Sequence, residues 1–69
     1  MTKAEFITKW IEVRDFCQKE ADKALTAWFV AKEAGDEEVK LKMAENNAYW
    51  LAKWAIAKEM LDDVAELEA

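Results

Sequence analysis

The chain has 69 residues, of which 54% are hydrophobic and four are tryptophan, with no proline and one glycine. That is one small domain spanning residues 1–69, near the lower size limit for a self-sufficient core and too rich in apolar surface for disorder. A net charge of −5 works against direct nucleic-acid binding, which depends on cations that neutralise phosphates.

The opening MTKAEF reads as a helix entry. Thr2 is placed to cap, Glu5 three residues later completes a capping box, and Met1 and Phe6 have the spacing of a hydrophobic staple. The pattern then runs unbroken to AKEAGDEEV, where Gly35 suits the left-handed position that ends a helix and Asp36 is placed to cap the next. Glu37 and Glu38 fall in that second helix's first turn, where carboxylates suit the positive end of the dipole. The expected fold is all-α: helices over about 3–34 and 37–67, joined too tightly to be anything but antiparallel neighbours.

Within the first helix a 3-4 spacing collects Ile7, Trp10, Arg14, Cys17, Ala21, Ala24, Trp28 and Ala31, while Glu5, Glu12, Lys19, Thr26 and Glu33 form a polar line opposite. In the second helix the same spacing collects Met43, Asn47, Trp50, Trp54, Ala57, Leu61 and Val64. Its opposite line is Glu38, Glu45, Ala52, Glu59 and Glu66. Seven-residue patterns of this kind pack at shallow crossing angles. Folding back at Gly35 pairs positions whose numbers sum to roughly 70. Ala21 is then expected to meet Trp50, Cys17 to meet Trp54 and Trp28 to meet Met43, with Ala24 near Asn46 and Asn47. Large residues would face small ones, as close packing requires.

Apolar residues also lie off the seam: Phe6, Val13, Phe16, Phe29 and Val30 on the first helix, Leu41, Tyr49, Ile56 and Met60 on the second. A lone hairpin has one seam and would leave them wet. The expectation is self-association into a four-helix or larger bundle. Phe6, Trp10, Trp28, Trp50 and Trp54 are the candidates for the self-association surface, and Phe29, Tyr49 and Ile56 for a protein partner's.

Charge is uneven along the chain. Residues 1–34 carry six bases and six acids, residues 35–69 four bases and nine acids, and from Glu59 onward there are five acids and no base. A solvated acidic face is the plain explanation. The single cysteine, Cys17, cannot form an internal disulfide, which suits a reducing compartment. No signal-peptide pattern is visible, and the longest apolar runs, AWFVA and AYWLA, are five residues each against the ~20 that span a bilayer. A soluble, cytoplasmic protein is expected.

Catalytic chemistry has little to work with. The chain has no histidine and one cysteine, too few ligands for a zinc site of the usual kind. The inner lines hold no acid apart from Glu68, and no glycine-rich phosphate loop exists. Cys17 has no histidine to activate it and reads as a buried structural thiol. A non-enzyme without cofactor or metal is the expectation.

Arg14 is the most informative single residue, since an unpaired guanidinium on a seam is costly. Either it reaches past its neighbours or pairs with an acid such as Glu12, Asp15 or Glu59, or it binds an anion beside Trp10 or Trp54. Asn46 and Asn47 pose the same choice between setting register and lining a polar pocket. Arg14, Lys42, Asn47 and Tyr49 are accordingly the candidates for holding a nucleotide-like anion.

The run KMAENNAYWLAKWAI, residues 42–56, resembles the second-helix segment of phage anti-CBASS sponge proteins. It does so through Lys42, then Ala48 with Tyr49, then Ala52 and the pair Ala55–Ile56. The resemblance covers about a fifth of the chain and carries over no ligand-binding residue. It implies a short helical hairpin that oligomerises and sequesters a cyclic-oligonucleotide signal.

The leading functional expectation is a non-catalytic, self-associating hairpin that binds a protein partner, a small inhibitor or adaptor of phage or mobile-element type. The alternatives are an oligomeric sponge for an anionic small molecule, an acidic nucleic-acid mimic, and a designed bundle without natural function. The mimic would use Asp36, Glu37, Glu38, Glu45, Glu59, Asp62, Asp63 and Glu66.

Overall fold

The computed structural model describes residues 2–68, with side chains as far as residue 66. It contains helix α1, Lys3–Ala34, and helix α2, Glu37–Glu68, packed against each other in a rod of 50 × 16 × 14 Å. Both expected helices are present, with α2 one residue longer than expected.

Each boundary has a local cause. Thr2 is extended (φ −77°, ψ 163°), and its Oγ1 accepts the Glu5 backbone N–H at 3.1 Å, satisfying a donor the helix leaves orphaned. The Thr2 hydroxyl donates in turn to Glu5 Oε1 at 3.1 Å, so the Glu5 carboxylate closes onto the capping hydroxyl. In a full capping box that carboxylate meets the backbone N–H. The expected Met1–Phe6 staple involves Met1, which lies outside the described residues.

At the other end Gly35 has φ 72° and ψ 19°. Its N–H reaches Lys32 O at 3.2 Å, while the Asp36 N–H reaches Ala31 O at 2.9 Å. This pair of bonds is the Schellman arrangement. Asp36 Oδ1 then accepts the Val39 N–H at 3.1 Å and opens α2. The chain reverses within two residues, so the helices run antiparallel.

The 3-4 lines expected to form the seam are all buried or half-buried, and the two opposite lines are exposed throughout. The deepest positions are Cys17, Ala21, Ala24, Ala31 and Ala57. Among the described residues, no side chain larger than cysteine is fully enclosed. Two helices alone bury only the narrow strip between them. Small side chains fit there, and larger ones spread to either side.

The register differs somewhat from the expected fold-back. Ala24 does lie with Asn46, around a hollow that Met43 and Trp50 also line. Asn47, however, occupies the place expected for Trp50, donating from Nδ2 to Ala21 O at 2.9 Å. Trp50 contacts Phe16 and lines a hollow with Cys17 and Lys53, where Trp54 was expected. The Asp36–Ala31 bond explains the shift: it draws the start of α2 back over the last turn of α1, nearer the turn than a fold-back centred on Gly35.

Candidate interaction surface

The two sides of the rod differ in chemistry. On one side Phe16 meets Trp50 edge-on at 5.5 Å, and Tyr49 meets Trp50 edge-on at 5.1 Å. Such tilted contacts suit the ring quadrupoles. Lys53 Nζ lies 4.8 Å over Tyr49 and 5.8 Å from the Trp50 ring centroid. This holds the lysine above its ordinary pKa, first through a hydrogen bond with the Tyr49 side chain and then through its charge. Any stabilisation from the pair is full below the free-lysine value and is lost as pH rises through the raised one.

A hollow lined by Val13, Phe16, Cys17, Trp50 and Lys53, with Lys9 and Glu12 at its rim, runs into a second, lined by Trp10, Val13, Lys53 and Ile56. Phe6 packs against Trp10 at 6.1 Å and extends the strip. Phe16, Tyr49 and Ile56 remain 55%, 53% and 56% exposed.

On the other side Leu25, Trp28, Ala44 and Asn47 line a separate hollow. Phe29 meets Trp28 edge-on at 5.0 Å and is 52% exposed. Lys32 and Lys40 approach the Trp28 ring at 5.3 and 5.9 Å, closing the hairpin's turn end with two cations on one indole.

The sequence-derived sites therefore divide. Phe6, Trp10 and Trp50 join the Tyr49 and Ile56 side, whereas Trp28 and Phe29 lie on the other; Trp54 is half-buried on the seam. The set Phe29, Tyr49 and Ile56 does not form one patch on a single chain.

Nor do the anion-binding candidates meet. Arg14 leaves the seam sideways, its Nε and one terminal nitrogen each 3.1 Å from Asp15 Oδ1, with 38% of the side chain exposed. That open pair contributes at most about 1 kcal/mol. Asn47 spends its amide on Ala21 O. Lys42 is exposed, about 18 Å along the axis from Arg14 at 1.5 Å per residue. Tyr49 and Asn47, two residues apart, project to different sides of α2.

Among the described residues, four large exposed apolar side chains fell outside the sequence-derived candidates: Ile11, Leu25, Val39 and Leu51. Ile11 and Leu25 belong to a second helical line that Asp15, Gln18 and Asp22 interrupt, which hides it from simple periodicity. Among the described residues no group of three or more His, Cys, Asp or Glu is arranged to hold a metal, and no helix is long and apolar enough to cross a membrane.

The chain matches no protein-family model, and neither curated proteins nor solved structures include a significant match.

Proposed function

We propose that the chain is a non-catalytic interaction protein: a hairpin that pairs with further copies of itself and, as a small inhibitor or adaptor, offers its remaining apolar surface to a protein partner. The observation that carries this is area. The chain exposes 5177 Å², whereas a compact monomer of 8.0 kDa would expose about 4,450 Å². The excess of roughly 700 Å² is close to the ~800 Å² each partner contributes to a standard interface. Among the described residues, ten large apolar side chains are each at least 37% exposed.

Self-association covers one side of the rod, and the Phe29 side is left for the partner. Native mass spectrometry of protein taken from cell extract without denaturation tests both parts. The expected species is a multiple of the 8.0 kDa chain, carrying a second polypeptide that Phe29→Glu removes while the homo-oligomer persists. A bare monomer at all concentrations overturns the reading.

A further inference from the structure

The aromatic side of the rod carries a pattern that is complementary to itself. On α2, Lys42, Tyr49, Ile56 and Asp63 recur every seven residues, so they share one line that drifts only about 20° per repeat. Read in the reverse direction, the line presents an acid where it had a base and keeps its apolar middle. Among the described residues, neither Lys42 nor Asp63 has an ion-pair partner in its own chain, as is also true of Lys9, Lys19, Lys32 and Lys53, so both charges are available to a second copy. All four residues of the line are exposed.

We infer that a second copy of this chain sits on the side bearing Phe16, Tyr49 and Ile56, with the two turns at opposite ends. In this pairing α2 runs antiparallel to α2 of the second copy. This rests on the self-association reading above and adds its face and direction. Tyr49 packs beside Ile56 of the second copy, Lys42 faces Asp63 of the second copy, and the two-fold axis repeats both contacts.

The charge pattern favours this occupant. The groove is continuous through Val13, Lys53 and Trp50, which line neighbouring hollows. Turns at the same end would bring together two α2 ends that each hold five acids and no base from Glu59 onward. Turns at opposite ends separate those ends by the 50 Å length of the rod and set each beside the start of α2 in the other copy. There Lys40 and Lys42 stand among Asp36, Glu37, Glu38 and Glu45, a less acidic end than the one from Glu59 onward.

Sedimentation equilibrium of the full chain at low salt tests the pairing through charge reversal at two exposed positions, where folding is not at stake. Lys42→Glu and Asp63→Lys are each expected to weaken dimerisation by about tenfold, since each turns two attractive contacts repulsive. The double variant is expected to return to within about threefold of the parent. A double variant as weak as the singles overturns the proposed direction.

A second comparison tests the face: Phe16→Ser/Tyr49→Ser is expected to dissociate the dimer and Leu25→Ser/Leu51→Ser to leave it intact. The reverse result overturns the face while leaving self-association standing. A parent chain that stays monomeric at about 100 μM overturns self-association itself and leaves the groove to a different protein.

Discussion

Asn47 shows how much one polar side chain does in so thin a core. Its half-buried amide donates to Ala21 O at 2.9 Å, linking residues 26 apart in sequence. A backbone carbonyl inside a helix already accepts its own helical bond, so removing Asn47 orphans nothing on α1. An asparagine at a seam position lowers stability while excluding other registers. Asn47→Leu is accordingly expected to leave the melting temperature unchanged or raise it by a few degrees. The variant should also show doubled amide resonances in a two-dimensional NMR spectrum as alternative registers become accessible. A melting temperature several degrees lower, with a single set of peaks, would contradict the register-pinning role. The choice posed for Asn47 was visible in the sequence, because the residue sits on the 3-4 line. Which carbonyl it takes was not, because that depends on how far the turn draws α2 back. For Arg14 the sequence offered a pair with an acid such as Asp15 beside an anion-binding role. The Asp15 pair is the one that forms, because a long side chain at the seam's margin turns outward to where Asp15 is within reach.

At the level of the helices, ends are better determined than middles. Thr2, Gly35 and Asp36 each bring a specific hydrogen bond or backbone conformation, and all three were legible from residue type and spacing. Gly35 is the clearest. At φ 72° an L side chain is strained, although an added Cβ would meet nothing within 4 Å. Gly35→Ala should therefore destabilise through backbone conformation alone, by about 1 kcal/mol, which lowers the midpoint of thermal unfolding by roughly 4–8 °C in a domain of this size. Circular dichroism melting checks it, and an unchanged midpoint would mean that the turn does not need its left-handed residue. The helix flanks were less legible. Phe16, Tyr49 and Ile56 were recognised as surplus apolar residues, but two faces of a rod cannot be separated without knowing which side of the seam each one leans to. Phe29 was grouped with Tyr49 and Ile56 for that reason, and the packing assigns it to the opposite side.

For the whole molecule the governing fact is geometric. Two 32-residue helices share a single strip of contact, and among the described residues that strip encloses only cysteine and alanine. The tryptophans are half-buried at best, and a hairpin with such a core is near the limit of independent stability. The proposed pairing of two rods side by side would create a true interior, cover the Phe16–Trp50–Tyr49 cluster, and keep the molecule as long as one hairpin. Small-angle X-ray scattering on the purified full chain reads mass and length together and tests this most directly. The expected result is a particle of twice 8.0 kDa whose long dimension stays near the 50 Å of one hairpin. A particle of 8.0 kDa with the hairpin's own 15.6 Å radius of gyration would mean the chain stands alone, and the account of its apolar sides would be wrong.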